Sequence, residues 1–116
     1  MLLINFKINY LVPPKFIKPL EESYTGSLTK TSEIIVHINA RPAAKVKVLK
    51  DSKELKSTDH CKFESTNLNE SLIEFKLVID NIQATDAGIY KIEAANKCLT
   101  SSSETQFIVK GLLLFN

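Results

Sequence analysis

Apolar and polar residues alternate along most of this chain. In IIVHINA, Ile34, Val36, Ile38 and Ala40 share one face, with His37 and Asn39 opposite. KVKVLK alternates Lys45, Val46, Lys47 and Val48. SLIEFKLVI sets Ile73, Phe75, Leu77 and Ile79 against Glu74 and Lys76. GIYKIEAAN turns Tyr90, Ile92 and Ala94 inward and Lys91 and Glu93 outward, and ETQFIVK turns Phe107 and Val109 inward. A period of two with one polar face predicts antiparallel strands that are half exposed to water. Turn-forming clusters separate the runs. ARPAA follows the first, KDSKE the second, TNLNE precedes the third, ATDAG precedes the fourth, and NKCLTSSS follows it. Short strands at this spacing, without an amphipathic helix, predict an all-β chain folded as a β-sandwich of two antiparallel sheets.

The 116 residues suffice for one domain with one core. The net charge of +2 comes from lysines mostly interleaved with Glu and Asp, which describes a solvated surface and not a phosphate-binding face. No apolar run approaches the roughly 20 residues that a membrane-crossing helix needs. The first twelve residues, MLLINFKINYLV, are apolar but interrupted by Asn5, Lys7 and Asn9. They lack the unbroken core and small-residue cleavage site of a secretory signal, and read as an N-terminal flank or linker over residues 1–12. The domain is expected over residues 13–110, with a C-terminal flank at 111–116.

DAGIYKIEAANK, Asp86 to Lys97, resembles the sixth strand of immunoglobulin domains, where the pattern is Asp-x-Gly-x-Tyr-x-Cys-x-Ala-x-Asn. Asp86, Gly88, Tyr90, Ala94 and Asn96 all match it, but Ile92 takes the cysteine position. PPKFIKPLE resembles the opening strand of intermediate-set (I-set) immunoglobulin domains in titin-like and twitchin-like muscle proteins. RPAAKVKVLKDSKEL is similar to their second-to-third strand passage, and LVIDNIQATDAGIYKIEAANK to the fifth and sixth strands with the joining corner. The likeness runs from about Pro13 to Lys110. In the family pattern the first cysteine lies twelve residues before a core Trp. Val48 holds the Trp position, which places Val36 at the first cysteine and Ile92 at the second. The resemblance therefore implies an I-set sandwich without its inter-sheet disulfide. Ser52 replaces a turn glycine and Leu99 another, so the hairpin after Asn96 is expected to be longer or shaped differently from the family norm.

A bridge between positions 36 and 92 would contribute roughly 4 kcal/mol by loop entropy. Each buried aliphatic contributes about 1.5–3 kcal/mol relative to exposure, so three of them can support a core without a covalent link. Phe63, Phe75, Leu77 and Phe107 are candidates to fill the volume lost at Val48. The two cysteines, Cys61 and Cys98, are expected at opposite ends of the sandwich, beyond the ~7 Å that a disulfide spans. A domain of this family without its disulfide fits a reducing compartment.

Candidate chemistry is sparse. Asp59, His60 and Cys61 are consecutive, so on a strand they point to alternate faces, and His37 lies on another strand. Zinc needs around four ligands, and these four residues read as surface and edge positions, so no metal site is expected. There is no Gly-x-Ser-x-Gly and no glycine-rich phosphate loop, since Gly26, Gly88 and Gly111 are isolated. No catalytic residue and no cofactor are expected, and the chain reads as non-enzymatic. The Asn69-Glu70-Ser71 sequon carries little weight in a chain this rich in Asn and Ser. By the resemblance, Tyr90 is a corner tyrosine whose hydroxyl bonds back to backbone near Asp86, and Asp86 pairs with a cation from the fourth-strand region, Lys62. Structural roles are thus expected for Tyr90, Asp86, Gly88, Val36, Val48 and Ile92.

The resemblance implies a structural and protein-interaction module of a larger cytoplasmic protein of the sarcomere or cytoskeleton. Its expected partners are neighbouring immunoglobulin or fibronectin-type domains of the same chain and muscle filament proteins, with no nucleic acid and no membrane, and a monomer in isolation. The PPK lead-in suits a stiff, extended link. The alternative is an extracellular adhesion or receptor domain that has lost its disulfide. A third possibility, a domain regulating an adjacent kinase, has no signature in this stretch.

Overall fold

The computed structural model describes residues 11–111; the flanks before and after them lie outside the described residues. Nine strands follow one another: β1 Val12–Lys18, β2 Ser23–Ser27, β3 Ser32–Arg41, β4 Lys45–Lys50, β5 Lys53–Leu55, β6 Cys61–Asn67, β7 Leu72–Ile79, β8 Gly88–Ala95 and β9 Thr100–Lys110. A single 3₁₀ turn, Ala84–Asp86, joins β7 to β8. One sheet has the order β1-β3-β7-β6 and the other β2-β9-β8-β4-β5. Every pairing is antiparallel except β2 with β9, which is parallel.

The two sheets are the two halves of the alternation. Along β3, Ile34, Val36, Ile38 and Ala40 are buried, and along β8, Tyr90, Ile92 and Ala94 are buried, while their neighbours in sequence are partly open. Phe75, Leu77 and Ile79 do the same on β7, with Ile73 packed against the edge of the core. Val36, Val48 and Ile92 have no exposed surface at all. Val48 and Ile92 are direct partners in the β4–β8 ladder, and Val36 comes from the opposite sheet, where it pairs with Phe75. Rings fill the space around them. Phe63, half-buried, meets Phe75 edge-on at 5.7 Å between centroids, and Tyr90 meets Phe107 in the same manner at 5.9 Å.

The chain changes sheets between β1 and β2, and hydrogen bonds to β9 hold that step. Ser101 donates its hydroxyl to the Pro14 carbonyl (2.6 Å), and the N–H of Leu20, itself buried, donates to Ser103 Oγ (2.9 Å). The β8–β9 hairpin turns over Asn96–Leu99. The Asn96 N–H donates to the Leu99 carbonyl, and the Cys98 N–H to Asn96 Oδ1. Leu99 is not among the residues with positive φ, so its backbone meets no strain from the missing glycine. Ser52 differs: Asp51 (φ 50°) and Ser52 (φ 72°) both take the left-handed conformation that a two-residue hairpin turn requires.

Truncating the core where the two valines and the isoleucine meet should cost most. Ile92→Ala is expected to lose roughly 2–5 kcal/mol in denaturant unfolding. Ile89→Ala, three positions earlier on the exposed face of the same strand, should lose less than about 1 kcal/mol. The reverse order would mean that β8 is out of register by one residue, since such a slip exchanges its two faces.

Candidate functional site

At the end of the sandwich where β7 crosses to β8, three segments converge on Asp86. The Tyr90 hydroxyl donates to the Asp86 carbonyl at 2.6 Å, four residues back in the chain. The Asp86 carboxylate accepts the Gln83 N–H at 2.7 Å through Oδ2, which closes the 3₁₀ turn. His60 Nε2 reaches both of its oxygens, at 2.9 and 3.0 Å. The Asp86 side chain is 13% exposed, so the imidazole that covers it matters. The expected partner was Lys62, and His60 replaces it. Lys62 is the second residue of β6, and alternation turns it to the open face of that sheet. His60 precedes the strand, in a bend tied to β7 by its own carbonyl, which accepts the Asp80 N–H at 2.8 Å. Its side chain is therefore free of the alternation and can turn to the corner. Asp59 is exposed as expected, and Cys61 lies on the edge strand β6 but with its side chain buried and not at the surface.

The β4–β5 turn locks the start of β8 from the other side. Asp51 Oδ1 accepts the Ile89 N–H at 2.9 Å, and the Asp51 N–H donates to the Ile89 carbonyl at 2.8 Å. The Ile89 amide is the main cause of the lowered pKa of Asp51, with partial burial opposing it and Lys50 adding to it. Gly88 is required here, because a Cβ would lie 2.7 Å from Asp51 Oδ2 and 2.9 Å from Oδ1. The two bonds to Ile89 offset the strain of two left-handed residues in the turn. Burial and the Asp86 charge push the Cys61 thiol up to about 11 and raise the Tyr90 phenol as well, with the negative charges of Cys61 and Asp51 adding for Tyr90.

The opposite end is tied by Asn96, whose Nδ2 donates to the Val12 carbonyl (2.9 Å) and to the Pro42 carbonyl (3.1 Å). The start of β1 is thus fixed beside the β3–β4 and β8–β9 loops. The end of β9 is fixed at the far end, where the Leu28 N–H donates to the Lys110 carbonyl (2.9 Å) and the Thr29 N–H to the Ile82 carbonyl (2.8 Å). Between these poles β2 and β9 run side by side in parallel, in register from Ser23 with Gln106 to Ser27 with Lys110. Gly26 permits their close fit against the core, because a Cβ there would meet Phe107 Cζ at 2.6 Å and Ile82 Cδ1 at 2.7 Å.

Cys61 lies by the Asp86 corner and Cys98 in the β8–β9 hairpin, and both thiols are free. His37 pairs with Glu74 at 3.2 Å, far in sequence and strand from His60. Among the described residues no group of three or more His, Cys, Asp or Glu is placed to hold a metal ion, and no helix is long and apolar enough to cross a membrane. Sequence reasoning missed His60 and Asp51. For Asp51 the signal was available: a non-glycine pair in a tight turn needs a compensating contact. For His60 it was not, since nothing in the local pattern shows which way a residue just before a strand will point.

Two sheets in this order, a corner tyrosine and a parallel contact between the β2 segment and the last strand define an immunoglobulin-like sandwich. The profile of the immunoglobulin I-set domain matches residues 14–109, and the chain belongs to that family. Among solved structures, the I-band fragment I67–I69 from titin superposes with a TM-score of 0.76 at 30% sequence identity, covering 86% of this chain. The chain spans 34% of the length of that fragment. A chimeric titin Z1Z2 carrying an exogenous KLER peptide from decorin gives 0.76 at 24% identity, over 88% of this chain and 99% of that one. A complex of titin M10 with obscurin like 1 Ig gives 0.75 at 19% identity, over 90% and 98%. The last two, at lower identity, show the fold alone.

Two measurements test the corner. Tyr90→Phe leaves the Asp86 carbonyl without its donor and should cost roughly 1–3 kcal/mol without abolishing folding, as read by denaturant titration. Alkaline pH should weaken the fold through Cys61. Its folded pKa of about 11 lies above the reference 9.0, so its contribution is complete below pH 9 and is lost as pH rises from 9 through 11. The loss should approach about 2–3 kcal/mol. Cys61→Ala should flatten the decline of the unfolding midpoint over that interval, and parallel curves for the two proteins would show that the thiol is not the group responsible.

Proposed function

We propose that this domain, residues 13–110, is a non-enzymatic link in a chain of similar domains inside the cell, transmitting force along a sarcomeric or cytoskeletal filament and docking partners on its surface. The flanking segments serve as connections to immunoglobulin or fibronectin-type neighbours. The observation that carries this is the parallel β2–β9 pairing set between chain ends at opposite poles. A pull on the two ends draws β2 toward the Asn96 pole and β9 toward the Leu28 pole. The hydrogen bonds between them are then loaded in shear, all together, and not one at a time. β1, the other N-terminal pairing, is weaker: it carries Pro13 and Pro14, and its register with β3 is broken twice.

Further support comes from the core. Val36, Val48 and Ile92 occupy the positions of the family's cross-link and core Trp, and the two cysteines are free. A filament domain in a reducing compartment has no use for a bridge that would not form there. A titin domain of the same fold stands in complex with an immunoglobulin domain of another protein, and domains of that kind are the partners we propose for this surface.

The Gln106 N–H donates to the Glu22 carbonyl and the Leu28 N–H to the Lys110 carbonyl. Ladder alternation between these ends points the Ile108 N–H at β2. Ile108→Pro removes that donor while its side chain stays on the exposed face. Single-molecule pulling on a tandem repeat should find a lower unfolding force and a lower melting temperature for the variant. The wild-type domain should extend in one step of about 3.3–3.6 Å per residue, with no stretch withheld by a closed loop. An unchanged force, or a step shortened by a retained loop, would count against the force-transmitting function.

A further inference from the structure

We propose that the outer face of the five-stranded sheet binds an extended peptide segment of the form basic-x-aliphatic-x-basic, which rests on the protein-docking half of the function proposed above and gives it a place and a ligand class. Ile89 is its centre, 44% exposed on a strand face where alternation otherwise sets polar residues. Gln106 stands directly across the ladder from it, which makes Glu104 and Ile108 its diagonal neighbours at about 7–8 Å. Ile108 is exposed as well, so the two isoleucines adjoin across two strands. Two open grooves meet at Ile89 and Glu104. One, of about 430 Å³, is bounded by Leu49, Asp51, Ser52 and Lys91; the other, of about 210 Å³, by Glu22, Thr105 and Gln106.

Charge selects the occupant. Glu22, Asp51 and Glu104 line these grooves against one ammonium, Lys91. Lys91 leans to Glu93 at 3.8 Å, although Glu104 is its ladder partner, and Asp51 has Lys50 at 3.4 Å. Glu22 and Glu104 make no ion pair among the described residues. The chain as a whole carries +2, so these grooves have the opposite sign to the molecule around them. An exposed isoleucine with carboxylates on both sides suits a side chain with an apolar stem and a cationic end, as in Arg or Lys. In an extended segment, residues two apart point to the same side, about 6.6–6.8 Å from one another. An aliphatic residue set over Ile89 therefore carries basic residues at the second position on either side, one toward Asp51 and the other across β9 toward Glu104.

The blocked peptide Arg-Ser-Ile-Ser-Arg tests this by titration into the ¹⁵N-labelled full chain, with Arg-Ser-Ser-Ser-Arg and Glu-Ser-Ile-Ser-Glu as comparisons. The first should shift the amides of Ile89, Lys91, Glu104 and Gln106 saturably, and more weakly as ionic strength rises. The other two peptides should bind at least about tenfold less tightly, and Glu104→Gln and Ile89→Ser should each weaken the first peptide by about tenfold. Both substitutions are on the open face, and amide dispersion confirms that the variants are folded. Equal binding of all three peptides, shifts mapping to another surface, or no saturable response would overturn the proposal. Shifts of the same amides on concentrating the protein alone would assign the face to a second copy of the chain, and would overturn it too. Failure here leaves the pulling result untouched, because the β2–β9 backbone pairing takes no part in the titration.

Discussion

The sandwich stands on apolar contact between two sheets that nothing covalent joins. Val36 from one sheet and the Val48–Ile92 pair from the other fill the centre, at positions that the sequence resemblance matches to the family's two cysteines and Trp. Three aliphatic side chains occupy less volume than an indole and its bridge, and rings from the flanks, Phe75, Tyr90 and Phe107, stand around them in edge-on pairs with one another and with Phe63. A core held this way depends on register. A disulfide fixes which residues oppose each other whatever the strands do, whereas packing does so only if every inward residue remains inward. The strict alternation of β3, β7 and β8 supplies that condition. The polar bonds at the two poles, Tyr90 to Asp86 at one and Asn96 to Val12 and Pro42 at the other, hold the strand ends where the alternation needs them.

Strands that bury a face were legible because burial writes a period of two into them. The long strands β3, β7 and β8 could be seen residue by residue, and so could Phe107 and Val109 of β9, whereas Thr100–Ser103 at its start read as part of a turn because serine and threonine, not apolar residues, take its inward positions. β2 was harder. SYTGS has little apolar content and a glycine, and it is a strand only because β9 offers it a partner and Gly26 lets it lie on Phe107. β5, of three residues, hid inside a cluster that reads as a turn. At the corner, the likeness to the immunoglobulin pattern pointed to Tyr90 and Asp86, while the partner of the Asp86 carboxylate was misplaced. Lys62 has a charge but faces the wrong way, and His60 has the freedom of a bend. Such choices are made by tertiary geometry and leave no periodic trace.

Asp51 shows how a departure from the family pattern is absorbed. Loss of the turn glycine at Ser52 forces two residues with side chains into left-handed backbone. The carboxylate of the first then binds the start of β8, and Gly88 leaves the room for it. The strain and the clamp are one feature: the turn that bends β4 back also holds the strand that carries Ile89, Tyr90 and Ile92. The backbone of the exposed Ile89 is held by the two bonds that Asp51 makes to it.

Mechanical order follows from the same distribution of bonds. The β1 segment, with two prolines and an interrupted ladder, is joined to the rest by its pairing with β3, by Pro14 and Phe16 packed inward, and by hydrogen bonds from Ser101 and Asn96. It can detach without disturbing the β2–β9 register, because the chain changes sheets between them. Once β2 and β9 slide apart, the five-stranded sheet loses an edge and Phe107 loses the backbone at Gly26 that covers it. The central aliphatics are then the last connection between the sheets. Apolar contact acts over ångströms and offers no resistance once the surfaces part, whereas a disulfide would hold a loop closed to any extension short of bond rupture. A domain built this way has no closed loop to withhold length from a pull and needs no redox chemistry to refold, which are the two properties the proposed force-bearing link requires.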